Sequence, residues 1–278
     1  MSNTKDKIFI NWVGGKNKLK NKIIPYIPKN IKIYSEPFLG AGNILNTIKP
    51  KKAILNDLNI ELINLYEVIK YNLDDLLNDF KKHINTKEYY FKIRNLDRSP
   101  KEFNLLNKVQ RASRFLFINY TCFNSLYRVN KKGHISVGYG YNQIKKEYED
   151  LLKQLHNYLI NNTIDFYNLD FEFFINKMIT KKDVFIYLDP PYDKFEENNI
   201  VAFYDEYTRF GFKRDDQERL KNCCDMLNKR GNKFLLSNIK SSYIVDLYKD
   251  YNIYTIDNTF CNNPKKIRKI KEVIITNY

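Results

Sequence analysis

Apolar positions along the chain change their period twice. Up to about residue 59 they come as short runs, each closed by acidic or small residues. Ile31-Lys32-Ile33-Tyr34-Ser35 alternates as a strand does, and Glu36-Pro37-Phe38-Leu39-Gly40-Ala41-Gly42 leads from it into a helix carrying Ile44, Leu45 and Ile48. Ala53-Ile54-Leu55 predicts a second short strand, ending in Asn56-Asp57-Leu58-Asn59. From about 60 to 160 the period becomes helical. Ile60, Ile63, Leu65 and Val68 start one helix; Leu105, Leu106, Val109, Ala112, Phe115 and Leu116 stripe another within 104–120; Tyr148, Leu151, Leu152, Leu155 and Leu159 mark a third. Short runs then return, with a strand at 163–167, a helix after Asp170-Phe171 and the run Val184-Phe185-Ile186-Tyr187-Leu188.

Residues 193–213 are polar and aromatic without periodicity, long enough for a mobile lid or a nucleic-acid-contacting loop. A helix over 215–230 follows, with acids in its first turn, bases in its last and Gly231 just beyond. A strand at 233–237, a helix at 241–249 and strands at 253–256 and 272–276 complete the chain. A basic loop holding Lys265, Lys266, Arg268, Lys269 and Lys271 joins the last two strands. The pattern predicts an α/β open sheet ending in a hairpin, built from 1–59 and 161–278, with a helical domain at 60–160 inserted in it.

Chemistry concentrates where the strands stop. The run 184–188 ends in Asp189-Pro190-Pro191-Tyr192. Each proline removes a backbone donor and fixes φ, so the acid and the carbonyls are held rigidly beside an aromatic face. Such acceptors suit a planar substrate carrying an amino group, such as adenine or cytosine; a strand-ending turn with a surface acid is the plainer alternative. Glu36 before a Gly-x-Gly turn would repel a pyrophosphate but suits a cationic or hydroxyl-bearing ligand. Asp57, at the second strand end, stands where ribose hydroxyls are gripped in such sheets, although an isolated Asp there is ordinarily a helix cap. Phe9-Ile10-Asn11-Trp12-Val13-Gly14-Gly15-Lys16 reads either as a strand and turn or as a close backbone approach with a cation beside it. The stretch from Tyr120 to Gly133 mixes aromatics, amides and bases, Lys131 among them. That mixture is what base stacking and groove reading need, and also what a solvated loop offers.

The formal net charge of +15 adds a polyanionic partner to this picture, and nucleic acid is the usual one. No run of apolar residues is long enough to span a membrane. Cys122, Cys223, Cys224 and Cys261 lack metal-ligand spacing, and the adjacent pair is better read as packing than as a disulfide, which fits a reducing cytoplasm. Three scattered histidines make zinc and Ser-His-Asp chemistry poor fits, and no metal is expected.

Asn-Trp-Val-Gly-Gly-Lys, Glu-Pro-Phe-Leu-Gly-Ala-Gly, Asn-Asp-Leu-Asn, Asn-x-Leu-x-Arg-x-Asn and Asp-Pro-Pro-Tyr occur in an order that resembles the Dam-type (D12 class) DNA adenine-N6 methyltransferases. The resemblance covers nearly the whole chain. It implies a class I, Rossmann-like methyltransferase domain that binds S-adenosylmethionine, with the helical insert as the target-recognition domain for double-stranded DNA. Carried over by position, Trp12, Lys16, Glu36, Pro37, Phe38, Gly40, Asp57, Asp170, Phe171 and Asp189 are implied as cofactor-site residues. Asp189, Pro190 and Tyr192 are implied as catalytic, acting on an adenine flipped out of the duplex. Asn11, Phe123, Asn124, Leu126, Arg128, Lys131 and Gly138 are implied at the DNA. The family's usual site is GATC. Members commonly carry a lysine where this chain has Asn11, and Val-Pro where it has Val137-Gly138, so a shorter or relaxed site is also consistent. A monomeric cytoplasmic enzyme associated with the nucleoid is implied. Cytosine-N4 or RNA amino methylation, protein-glutamine methylation and a catalytically silent DNA-binding regulator are the alternatives.

Overall fold

The computed structural model describes residues 8–193, 195–197, 200–202, 211–263 and 266–278. The described strands are β1 (Ile33–Glu36), β2 (Lys52–Asn56), β3 (Thr163–Tyr167), β4 (Val184–Leu188), β5 (Phe195–Glu197), β6 (Ile200–Ala202), β7 (Lys233–Ile239), β8 (Asn252–Asn263) and β9 (Lys266–Thr276). Seven of them form one sheet in the order β3-β2-β1-β4-β7-β9-β8. The first five run parallel, and β9 is antiparallel to both its neighbours. The order turns back between β1 and β4, and this switch point opens a crevice at the carboxyl ends of the strands.

The helices are α1 (Lys20–Ile23), α2 (Asn43–Ile48), α3 (Ile60–Tyr71), α4 (Leu73–Phe80), α5 (Lys87–Asn95), α6 (Pro100–Phe103), α7 (Lys108–Thr121), α8 (Tyr148–Ile160), α9 (Phe171–Met178), α10 (Arg214–Lys229) and α11 (Ser242–Leu247). Strand alternation sorts the core into two layers. Phe185 and Tyr187 of β4 face a cluster shared with Leu62, Leu65 and Tyr66 of α3 and Phe115 of α7. Val184, Ile186 and Leu188 face the other, with Phe174 of α9 and Leu220, Cys223, Cys224 and Leu227 of α10. The two cysteines are therefore packing residues, as expected. Among the described residues no helix is long and apolar enough to cross a membrane.

Three expectations change. The stripe at 104–120 begins later, at Lys108, because Asn107 accepts from the Gln110 amide and Gln110 returns the bond in a capping box; Leu105, assigned to the helix face, lies 78% exposed. The hairpin strands extend far beyond 253–256 and 272–276, so Lys266, Arg268, Lys269 and Lys271 lie on β9 rather than in a loop. Pairing to β8 supplies their order where the sequence alternates poorly. Phe9 and Ile10 are buried but form no strand. In the stretch 193–213, expected as a mobile lid or a nucleic-acid-contacting loop, β5 and β6 pair antiparallel, while 194, 198–199 and 203–210 lie outside the described residues.

Candidate active site

β4 is buried along its whole length and delivers Asp189 into the crevice beside β1. The carboxylate is anchored at one oxygen. Lys16 Nζ lies 2.6 Å from Asp189 Oδ1, and Ser237 Oγ donates to the same atom at 3.0 Å. Tyr187 OH lies 3.1 Å from Ser237 Oγ, extending the anchor into the core. Lys16, 5% exposed, also donates to the Gly14 carbonyl at 2.8 Å, so the glycine turn aims its ammonium. Burial pushes the Asp189 carboxyl above its ordinary range, while the Lys16 charge and the bonds from Lys16 and Ser237 pull it back. Behind the tetrapeptide, Gln217 of α10 donates to the Pro191 carbonyl at 3.0 Å, and Asp193 accepts from Ser241 at 3.0 Å. Tyr192 presents its ring to Lys16 Nζ, 4.6 Å from the centroid, and its hydroxyl donates to Glu272 at 2.6 Å.

The neighbouring strand ends add two more acids. Glu36, the last residue of β1, accepts from Tyr34 OH and from the Leu45 amide at 2.9 Å. Burial first, and then the charges of Asp189 and Asp57, push its carboxyl up to about 8 against the opposing pull of those two hydrogen bonds. Asp57 accepts from the Gly40 and Asn59 amides, each at 2.9 Å; burial raises its carboxyl and the two amides oppose the shift. Asn56 ties the rim together. Its side chain donates to the Pro37 and Leu169 carbonyls and accepts from the Leu169 amide.

Gly40 has φ 50°, and a Cβ on it would stand 2.8 Å from Trp12 Cδ1. A glycine is required here twice over, by conformation and by the indole packed on it. Trp12 stacks in turn on Tyr127 at 5.6 Å with a 14° tilt, which joins the glycine loop to the loop after α7. On the far side, Phe38 meets Phe171 at 5.3 Å and Phe212 at 5.9 Å. Arg219 of α10 lies over the Phe171 ring and pairs with Asp170 at 2.7 Å. Asp170 also caps α9 through the Glu172 and Phe173 amides, so its carboxylate faces the cap and Arg219.

The DNA candidates gather elsewhere on the helical block. Phe123 is 60% exposed, in a turn where Asn124 and Ser125 are left-handed at φ 55° and 52°. The Phe123 amide donates to the Gly138 carbonyl and the Gly140 amide to that of Thr121, fusing two loops into one platform. A Cβ at Gly140 would lie 2.4 Å from the Cys122 carbonyl oxygen, whereas at Gly138 it would meet nothing. Arg128 and Lys131 are exposed on a tight hairpin closed by a Val129–Ile135 bridge. Its base is fixed from below, where Asp97 accepts from the Ile135 amide at 2.7 Å and pairs with buried Arg114 at 3.2 Å. Leu126 is half-buried. Asn11 meets the platform's supporting helix, exchanging two backbone hydrogen bonds with the Asn119 side chain.

A model of the D12 class of N6 adenine-specific DNA methyltransferases matches residues 12–261. The chain belongs to that family. The methyltransferase is 37% identical over 275 residues to the type II methyltransferase M1.LlaDCHI of Lactococcus lactis subsp. cremoris, covering 97% of this chain and 95% of the relative. Type II methyltransferase M.MjaIII of Methanocaldococcus jannaschii is 36% identical over 298 residues, 98% of this chain and 99% of its own. A DNA adenine methylase of Haemophilus influenzae is 29% identical over 279 residues, 97% and 93% of the two chains. The sheet order is that of a class I methyltransferase domain, and the enzyme is an adenine-specific DNA methyltransferase.

Around the methyltransferase's crevice, sequence reading overlooked Ser237, Glu272, Asn258, Gln217 and Arg219. Ser237 closes an apolar run as Asp189 does, so its place at a strand end was a usable signal. Glu272 and Asn258 carry none, because each is one polar residue beside others in a strand far from the motifs.

Proposed function

We propose that the enzyme transfers a methyl group from S-adenosylmethionine to N6 of an adenine flipped out of a short, GATC-like duplex site. The observation that carries this reading is the asymmetric anchoring of Asp189. Lys16 and Ser237 both engage Oδ1, which leaves Oδ2 to accept from an exocyclic amine laid against Tyr192. An adenine amine is a poor nucleophile because its lone pair is delocalised into the ring. Hydrogen bonds accepted by Asp189 Oδ2 and the Pro190 carbonyl would turn that nitrogen toward sp³, and Asp189 Oδ2 would take the proton released on methylation. Extruding the base gives it access to this pocket, with Tyr192 replacing the lost stacking.

The crevice fits the cofactor by its own features. Asn43, whose Nδ2 lies against Gly15, has a buried Oδ1 with no hydrogen-bond partner among the described residues, as expected of an acceptor awaiting a donor. Gly40 brings no side chain of its own to the loop, Asp57 would meet the ribose hydroxyls, and the touching rings of Phe38 and Phe171 would form one apolar wall for a purine. Trp12, Pro37 and Asp170 frame these contacts, and Glu36 provides negative charge for the cationic end. When bound, S-adenosylmethionine supplies a methyl group already activated on a sulfonium; this chain supplies position and electrostatics.

We further infer that the helical block at 60–160 is the target-recognition domain. Phe123, Asn124 and Leu126 would wedge into or read the duplex, Arg128 would contact a guanine edge, and Lys131 would meet a phosphate. Gly138 belongs to this platform through its bond from the Phe123 amide, and Asn11 adjoins it through Asn119. Incubating plasmid DNA with the protein and S-adenosylmethionine, then mapping modified bases by single-molecule sequencing, tests the whole reading. N6-methyladenine in one short motif is the expected result. Cofactor binding without any methyl mark on DNA would sink it and favour an RNA substrate or a silent binding protein.

Glu36 gives a pH prediction. A cation arriving beside a carboxyl that titrates near 8 favours its ionised form. Cofactor binding is expected to release a proton and to tighten as pH rises toward about 8, then level off. Calorimetry in two buffers of different ionisation enthalpy reads both effects, and Glu36→Gln should remove them. In the absence of cofactor the sign for stability is opposite. A carboxyl raised in the folded state favours folding below its unfolded pKa, and that contribution is lost as pH climbs toward about 8.

A further inference from the structure

We propose that Glu272 is a positioning residue for Tyr192, and that through it the β8–β9 hairpin fixes the aromatic face offered to the target base. The inference rests on the reading of Tyr192 as the base-stacking residue. Glu272 is 3% exposed on β9, in register with Ile239 of β7 and Ile256 of β8, and apolar Val273, Ile274 and Ile275 follow it. An acid in such a row costs desolvation that an isosteric apolar side chain would avoid, so its presence needs a reason other than stability. Both oxygens are used. Oε2 accepts from Tyr192 OH at 2.6 Å, and Oε1 accepts from Asn258 Nδ2 of β8 at 2.6 Å.

The geometry locks one ring orientation. Two prolines stiffen the backbone before Tyr192 but do not set its side-chain torsions. A hydroxyl tethered to a carboxylate that is itself held from the other side does set them. The ring then stands with one face toward Lys16 Nζ, beside the Asp189 carboxylate. The β8–β9 hairpin continues past this point to the basic segment at 266–271, so one element carries both the tether and the strand bearing those charges.

Single-turnover methyl transfer on a duplex carrying the mapped site tests this, using the full chain. Glu272→Ala and Tyr192→Phe should each slow transfer about tenfold, the scale of one hydrogen bond to a charged group, while cofactor and duplex affinities stay within about twofold. Glu272→Gln, whose amide oxygen still accepts, should recover to within about threefold of wild type. The double variant Glu272→Ala/Tyr192→Phe should be no slower than either single one. With 2-aminopurine as the target base, stacking should quench its emission in wild type and less so in Glu272→Ala. Wild-type transfer by Glu272→Ala, or losses that multiply in the double variant, would overturn the proposal. If Glu272→Ala does not fold, Tyr192→Phe decides, because it removes a single oxygen; wild-type rate and quenching there overturn the proposal equally. Tyr192→Ala separates the two levels. Slow transfer by it together with normal transfer by Glu272→Ala refutes the tether alone, whereas normal transfer by Tyr192→Ala refutes the base-stacking reading and the tether with it.

Discussion

Asp189→Asn is expected to lower the methyl-transfer rate by about 10³ while leaving duplex affinity and its salt dependence unchanged. The amide keeps the size of the side chain but loses the charge that draws the amine proton, so a bound base gains far less from it. Asparagine is the better replacement than alanine. Asp189→Ala takes from the Lys16 ammonium, 5% exposed, its acceptor as well as its counter-ion, whereas the asparagine oxygen still accepts; stranding a buried charge in that way costs about 3–5 kcal/mol of stability. Rapid-quench transfer assays and filter binding across a salt series separate rate from affinity. An Asn variant that transfers within tenfold of wild type would remove Asp189 from the mechanism. The pH profile offers a second reading. The protonated acid cannot accept, so activity should fall at low pH, and burial places that limb above the ordinary carboxylate range. Lys16→Met should move the limb higher still, because the Lys16 charge is the largest influence holding the carboxyl down.

What could be seen in the sequence was local chemistry at strand ends. Asp189 is legible because an apolar run stops in it and two prolines follow. Glu36 and Asp57 are legible for the same reason, as acids closing short runs. Partnerships between distant positions were hidden. Lys16 reads as a cation beside paired glycines, but its pairing with Asp189 depends on the fold of everything between them. Glu272 and Tyr192 are likewise 80 positions apart and share no motif. The hairpin shows the same limit for secondary structure. Residues 257–263 and 266–271 lack alternation, so only their pairing across β8 and β9 makes them strands. The late start of α7 is a different kind of miss, since Asn107 and Gln110 have capping-box spacing and were outweighed by the apolar Leu105 and Leu106 before them.

Trp12 connects the two kinds of site, and it gives the second large effect. Gly40→Val is expected to weaken S-adenosylmethionine binding by at least about 100-fold, or ~2.7 kcal/mol. A β-branched residue is strained at φ 50°, and its Cβ would start 2.8 Å from Trp12 Cδ1. Either the backbone at 40 shifts, pulling its amide from Asp57, or the indole leaves Tyr127; both change the surface the cofactor meets. Gly40→Ala should fall between wild type and valine. Gly138→Ala is the control, because a Cβ there meets no atom within 4 Å and the residue belongs to the proposed recognition platform, away from the glycine loop. Trp12 is the protein's one tryptophan, so its emission reports the contact directly. Titration with S-adenosylmethionine should change that emission in wild type and Gly138→Ala, and leave it flat in Gly40→Val at the same concentrations. The stack on Tyr127 also predicts that duplex binding alone perturbs the same signal, since Tyr127 lies between Leu126 and Arg128 in the proposed recognition loop. A Gly40→Val enzyme that binds cofactor normally would show that the glycine serves only the turn, and would move the cofactor away from this loop.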